Sequence, residues 1–274
     1  MENEKTTKLK IPKLNSFDFQ IKYNELYRKN HTHQIDLHVH HEFEIYINLS
    51  GDISFLVENS LYPLSRGDVI LARPGELHHC VYRSDKPHRH FWILFDCEKN
   101  NTLLDFLKPF YNDNFISPKG TLREELLDIC NSFTDEQLSE EEKIYLFFRI
   151  FAILKQSKNE GTKINPKLPQ DLSKIVNYID VHIYEQLTVK EISNKLYISQ
   201  STLERRFKEI LNITPLEFIK KKKLILAAQL LHSGESVLQT GTKLGYNDNS
   251  YFIKLFKSYY GCTPYEYKKT KFIN

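Results

Sequence analysis

The feature that most restricts this 274-residue chain is a repeat in its last hundred residues. Ser201-Thr202-Leu203, Phe207-Lys208 and Thr214-Pro215-Leu216-Glu217 return 49 residues later as Ser250-Tyr251-Phe252, Phe256-Lys257 and Thr263-Pro264-Tyr265-Glu266. Upstream, Thr188-Val189 with Leu196 returns as Ser236-Val237 with Leu244 at an offset of 48, so the second copy has one extra residue in its turn. Self-similarity of this kind means one supersecondary unit used twice.

The content of each copy follows from local signals. Thr188 is an N-cap with Glu191 three residues on, and Ile192 and Leu196 share a buried stripe. That helix stops near Tyr197. Ser199 or Ser201 caps a second helix, with Leu203, Phe207 and Ile210 inward and Gln200, Thr202, Glu204, Arg205 and Lys208 mostly outward. Thr214-Pro215-x-Glu217 starts a third, because proline's fixed φ and missing N–H suit the first helical position. In the second copy Gly245 sits at the turn, Asp248 or Asn249 caps, Phe252 and Phe256 are buried, and Thr263-Pro264-x-Glu266 starts the closing helix.

A short helix, a tight turn and a polar-faced second helix form a unit that a major groove about 12 Å wide accepts. The bridging helix, 216–231, spans about 24 Å and would hold the two outward helices near one DNA turn, about 34 Å, apart. The same pattern also builds purely structural helical bundles, and charge favours the first reading. The chain carries +3 overall, but 166–274 hold 17 Lys and Arg against 10 Asp and Glu (+7), whereas 1–165 hold 21 against 25 (−4). Phosphate neutralisation by Lys and Arg supplies most nonspecific nucleic-acid affinity. The run Lys220-Lys221-Lys222-Lys223 reads as a solvated helix face or a loose phosphate contact.

The N-terminal half follows another pattern. Between 35 and 96, six short apolar runs (FEIYINL, ISFLV, LYPL, VILA, HHCVY and FWILF) are divided by Gly51-Asp52, Glu58-Asn59-Ser60, Arg66-Gly67-Asp68 and Pro74-Gly75, which predicts a barrel or sandwich. Beyond Asp96 the period turns helical. Leu122, Leu126, Ile129, Cys130 and Phe133 form one stripe, and Ile144, Phe147, Phe148, Phe151 and Leu154 another, opened by a Ser139/Glu142 capping box. These two helices are either a candidate dimer interface or simply pack back on the barrel. Residues 155–167 have a linker's composition.

The longest strongly apolar stretch, Ile144–Leu154, is eleven residues, far short of the roughly 20 a membrane span needs. The polar first ten residues lack a signal-peptide core, so the cytoplasm is the expected location and no membrane partner is expected. Cys80, Cys97, Cys130 and Cys262 have neither zinc-site spacing nor disulfide density, and read as structural thiols.

Residues 170–270 resemble the AraC/XylS family of bacterial transcription regulators. The family's closing signature is matched by Leu244-Gly245-Tyr246, Ser250-Tyr251-Phe252, Phe256-Lys257, Gly261 and Thr263-Pro264. Two departures stand out: Thr240-Gly241 replaces the usual Ile-Ala of the second scaffold helix, and Lys223 the usual Arg before Leu-x-x-Ala. A glycine inside a helix costs about 1 kcal/mol relative to alanine, so the second unit is expected to be less rigid or to lean on DNA for order. The resemblance implies that Gln200, Ser201, Thr202, Arg205 and Lys208 in copy one, and Asn247, Asn249, Ser250, Tyr251, Lys254 and Lys257 in copy two, face double-stranded DNA. Arg205 would then read guanine and Gln200 or Asn249 adenine, while the lysines position the protein on phosphates.

His38-Val39-His40, Glu44, Gly51, Gly67-Asp68 and Pro74-Gly75-x-x-His78 are similar to the two motifs of the cupin barrel. In metal-binding cupins the equivalents of His38, His40, Glu44 and His78 would hold Fe, Mn or Zn; regulators of the AraC type usually hold a small molecule there, many without a metal, so no cofactor is required. The expected pocket combines Tyr46, Phe55 and Trp92 with His38, His40, Glu44, Arg73 and His78, a lining suited to a sugar or another polar metabolite. His41, His79, His88 and His90 are expected at surface or edge positions.

The expected fold is therefore α+β. A cupin-like ligand-sensing barrel occupies 1–100, a helical segment with the candidate homodimer interface 101–160, a linker 161–169, and an all-α DNA-binding domain with two helix-turn-helix units 170–274. The leading function is a ligand-responsive, sequence-specific transcription regulator, not an enzyme, with RNA polymerase as a further candidate partner. The alternative is a metal-dependent cupin enzyme, a dioxygenase or isomerase, with a helical assembly tail.

Overall fold

The computed structural model describes residues 7–10, 20–28, 37–96, 104–105, 107–133, 135, 137–159, 166 and 168–270, with 7–10, 20–28, 159 and 270 as backbone alone. The chain forms two compact units, Met1–Pro166 and Lys167–Asn274. Most of the expected linker at 161–169, and Cys97, lie outside the described residues.

Among the described residues the first unit has nine strands: β1 (Thr7–Lys10), β2 (Gln20–Arg28), β3 (Phe43–Ser50), β4 (Ile53–Val57), β5 (Ser60–Leu64), β6 (Val69–Ala72), β7 (His78–Tyr82), β8 (His88–Phe95) and β9 (Phe115–Ile116). They form a six-stranded sheet, β1-β2-β8-β3-β6-β9, and a three-stranded sheet, β5-β4-β7, in which every pairing is antiparallel. The six runs read from the sequence are β3–β8. Strands β1, β2 and β9 escaped that reading, β2 because its polar residues hide a segment that pairs along its length with β8.

Strand alternation divides the side chains between two cores. Phe43, Ile45, Ile47 and Leu49 of β3 and Phe91, Ile93 and Phe95 of β8 pack outward with α1 (Gly120–Phe133) and α2 (Glu140–Asn159). Tyr46 instead packs with Phe55, Tyr62, Ile70, Cys80 and Tyr82 in a second core shared with the three-stranded sheet. The Ser139/Glu142 box opens α2 with reciprocal bonds of 2.8 and 3.2 Å. The two helical stripes hold, with one correction: Phe148 is 38% exposed, and Tyr145 beside it 66%.

The second unit, as described, is all helix: α3 (Gln170–Val181), α4 (Val189–Lys195), α5 (Gln200–Leu211), α6 (Pro215–His232), α7 (Val237–Lys243), α8 (Asn249–Tyr260) and α9 (Pro264–Thr270). Thr188, Thr214 and Ser236 form complete capping boxes with Glu191, Glu217 and Gln239. Ser199 is the cap of α5 and Asp248 of α8, which settles both alternatives left open above. No helix among the described residues is long and apolar enough to cross a membrane.

Candidate DNA interface and effector site

The helix-turn-helix signals place α4–α5 and α7–α8 as the two reading units. On α5, Gln200, Ser201, Glu204, Arg205 and Lys208 are exposed. Arg205 keeps most of its side chain in solvent, its guanidinium 3.6 Å from Glu209, a weak surface pairing that a base edge can replace. Ser201 and Thr202 gather on the cap: their hydroxyls lie 2.9 and 2.8 Å from Ser199 Oγ. The neighbouring Arg206 is tied instead to Asp171 on α3.

On α8, Ser250, Tyr251, Lys254 and Lys257 are exposed. Two of the expected readers behave otherwise. Asn249 turns inward: its Oδ1 is buried, has no hydrogen-bond partner among the described residues, and abuts the position a Cβ on Gly241 would take. Asn247 donates from Nδ2 to Gln186 Oε1 at 3.2 Å, which commits its amide to protein.

The lysine run is also corrected. Within α6, residues four apart share a face, so Lys223 lies on the buried stripe of Ile219 and Ala227. It is 5% exposed, and its Nζ donates to the backbone oxygens of Glu185 and Leu244 at 2.5 and 2.7 Å. Burial pushes its ammonium down to about 8. Lys222 pairs with Asp180, which leaves Lys220 and Lys221 as the half-exposed members.

In the barrel, a backbone bridge between His38 and His78 joins the segment before β3 to β7, and β3 supplies Glu44 on its inner face. The ligating atoms of His38, His40, Glu44 and His78 all lie within 4.8 Å of one another. Glu44 Oε2 faces His40 Nε2 at 2.9 Å and His78 Nε2 at 3.2 Å. The opposite ring nitrogens, Nδ1 of each, sit 2.8 Å from the carbonyls of Glu42 and Glu76. A carbonyl at Nδ1 fixes the proton there and turns Nε2 toward whatever occupies the centre. Burial pushes the Glu44 carboxyl up, but the hydrogen bonds of His40 and His78 and the imidazole charges outweigh it and hold it well below the usual carboxylate range. His78 shows the complement: burial pushes the imidazole down, and the Glu44 carboxylate raises it above its ordinary value.

Of the other expected lining residues, Tyr46 is buried beneath this cluster, and Trp92 faces it across the β3–β8 pairing as a half-buried ring. Arg73 does not join them. Its guanidinium is bound to Glu76, to the Phe110 and Tyr111 carbonyls and to Asn114, and so fastens the 110–114 loop. His79, His88 and His90 are buried, not peripheral, whereas His41 is exposed as expected. His88 and His90 share the inner face of β8: the Tyr46 hydroxyl and His88 Nε2 hydrogen-bond at 2.9 Å, and the His90 ring stacks 4.7 Å from Tyr46. Burial, with the Cys80 thiol 3.5 Å away, raises the Tyr46 phenol well above its ordinary value. Once the β3–β8 pairing sets Trp92 beside Tyr46, alternation along β8 puts both histidines on the same inner face.

These two sites define a regulator with one binding domain for DNA and another for a small molecule. Comparison with known proteins agrees: residues 24–148 match the AraC-like ligand binding domain, and residues 192–270 match a helix-turn-helix domain. The chain belongs to the AraC family of transcriptional regulators. It is 23% identical over 251 residues to the transcriptional activator RhaR of Mannheimia succiniciproducens, covering 88% of this chain and 90% of that protein. It is 27% identical over 220 residues to the raffinose operon transcriptional regulatory protein RafR of Pediococcus pentosaceus, covering 76% and 77%. Among solved structures, ToxT of Vibrio cholerae is similar at 18% identity and a TM-score of 0.37, covering 91% of this chain and 96% of that one. The relatives are transcriptional regulators, and the enzyme alternative is set aside.

Proposed function

We propose that this regulator reads DNA sequence with α5 and α8 and answers to a carbohydrate-class effector held at the His38–His40–Glu44–His78 cluster. The observation that carries the effector site is the convergence of two Nε2 atoms on one buried carboxylate oxygen, each with its Nδ1 set against a backbone carbonyl. With the Nδ1 protons set against the carbonyls, such a centre offers two Nε2 lone pairs and a carboxylate as acceptors to adjacent hydroxyls. A relative named for a raffinose operon supports a sugar.

The same donor set, three imidazoles and a carboxylate, suits a divalent first-row metal. When bound, such an ion supplies a Lewis-acid centre that vicinal hydroxyls can chelate. The chain's own part is unchanged: the Glu42 and Glu76 carbonyls orient the His40 and His78 rings, and Glu44 and His78 are held buried. Elemental analysis of the purified full chain is expected to find one divalent ion per chain, lost in Glu44→Gln. A metal-free protein that still binds a sugar in calorimetric titration removes the metal and keeps the effector site. Binding of no sugar by either form removes the carbohydrate.

On DNA, Arg205→Ala is expected to cost about 1–3 kcal/mol and to relax discrimination at one base position. Lys254→Ala weakens all sequences alike and lowers the salt dependence, as a phosphate contact does. Uniform weakening by Arg205→Ala would assign that residue to a phosphate. The protein is taken to act in the cytoplasm as a homodimer through the exposed Tyr145–Phe148 face of α2, with RNA polymerase as a partner on the promoter. Sedimentation of Tyr145→Glu, expected to run as a monomer, tests the dimer.

A further inference from the structure

We infer that Lys223 is a positioning residue that latches the two helix-turn-helix units together and thereby sets the spacing of DNA elements the protein accepts. This rests on the DNA-binding reading and adds to it a determinant of operator geometry.

Three contacts meet at one seam. Lys223, on the bridging helix α6, donates to the carbonyl oxygen of Glu185, just ahead of α4, and to that of Leu244, which ends α7. One buried ammonium thus holds a backbone oxygen from each unit. At Gly245 the backbones touch: a Cβ would lie 2.7 Å from the Glu185 carbonyl carbon and 2.9 Å from the Gln186 nitrogen. Beside them, the Asn247 amide reaches Gln186 at 3.2 Å. The corresponding turn of the first unit has nothing of the sort. Its Tyr197 occupies the place of Gly245, shares its positive φ (56° against 72°), and is 95% exposed.

Two reading heads joined by a helix alone would bend about its ends. Joined also by a buried charge that faces two carbonyls, they keep one separation, because moving them apart strands an ammonium without acceptors. Fixed heads demand fixed spacing: each added base pair turns the second groove by about 34° around the duplex axis, at about 10.5 base pairs per turn.

The test uses the full chain and a duplex that the chain itself selects from a randomised 40-base-pair pool. Zero to five base pairs are inserted between the two protected segments, and affinity is measured by fluorescence anisotropy at constant salt. Wild type is expected to lose affinity steeply with the first insertions. Lys223→Met should bind the parent duplex about ten- to a hundredfold more weakly, through loss of effective concentration of the second head, and lose little more on insertion. Lys223→Arg, which keeps a donor for both carbonyls, should restore the steep profile. Equal weakening of Lys223→Met at every insertion overturns the proposal, as does an unaltered profile. If Lys223→Met does not fold, Gln186→Ala opens the same seam from an exposed position, and an unchanged profile there overturns it equally. A wild type that binds selected DNA without regard to spacing refutes the latch, whereas one that binds no duplex refutes the DNA reading itself.

Discussion

The two helix-turn-helix copies solve the same packing problem with different residues. In the first, Ile192 and Ser193 of α4 meet Leu203 and Phe207 of α5, all buried, and the Ser193 hydroxyl is satisfied by the Lys190 carbonyl at 2.9 Å. In the second, the equivalent α7 pair is Thr240-Gly241, and the α8 partners are Phe252 and Phe256. A ring has replaced the leucine, and the opposing helix has given up its side chain: a Cβ on Gly241 would stand 3.1 Å from Phe252 Cδ1 and collide with Asn249 Oδ1. Glycine here makes room. What reads as looseness in the sequence is close approach between two helices, at an intrinsic propensity cost of about 1 kcal/mol.

The second copy also carries more unpartnered polar atoms than the first, where Asn212 Oδ1 is in that state among the described residues. Thr240 Oγ1, Tyr246 Oη and Asn249 Oδ1 are buried without hydrogen-bond partners among the described residues. Each unsatisfied group costs on the order of 1–3 kcal/mol, so the second unit is the softer by chemistry and not by its glycine. Removing the ring gives the largest expected effect. Phe252→Ala should destabilise the protein by about 3–5 kcal/mol in denaturant titration, with exchange of α7 and α8 amides accelerated most.

Gly241→Ala should cost about 1–3 kcal/mol by overpacking, and less in a Phe252→Leu background, which restores the first copy's ring-free pairing. A double-mutant cycle measures the difference, and strict additivity would show that the ring and the glycine are independent. Lys223 sets the next effect. Its folded-state value of about 8 lies below the ordinary 10.5, so between those two the unfolded chain holds more protons than the native one. Stability therefore rises as pH climbs from about 8 toward 10.5, and Lys223→Met should flatten that rise in melting curves. The smallest change should come from Thr240→Val, which swaps an unpartnered hydroxyl for a methyl and is expected to stabilise by about 1 kcal/mol. In the first copy, by contrast, Ser193→Ala removes a satisfied bond and should be neutral or mildly destabilising.

What could be read in advance depended on range along the chain. The caps at Thr188, Thr214 and Ser139 bind residues three positions away, so spacing alone reveals them. His38, His40, Glu44 and His78 were also recoverable, because β3 and the approach to β7 carry them in a compact motif. His88 and His90 were not. Their burial depends on β8 lying between β2 and β3, a pairing that no local pattern announces. Lys223 was hidden by its neighbours, since four consecutive lysines look like solvent until the helical period assigns one of them to the inside. Arg73 failed for the opposite reason: the 110–114 loop that claims its guanidinium lies some forty residues downstream.

One small joint in the first unit has a mechanical meaning. Arg123 of α1 lays its aliphatic stem where a side chain on Gly67 would sit, and its Nη2 donates to Asp68 Oδ1 at 2.9 Å, an oxygen that also accepts from the Ser117 hydroxyl at 2.7 Å. Asp68 leads directly into β6, and Ala72 at the far end of β6 pairs with Glu44. The helical pair is thus bolted to the strand that flanks the histidine cluster. A shift of the strand at Glu44 would be carried along β6 to the Arg123 joint and into α1, a single lever arm from histidine cluster to helix.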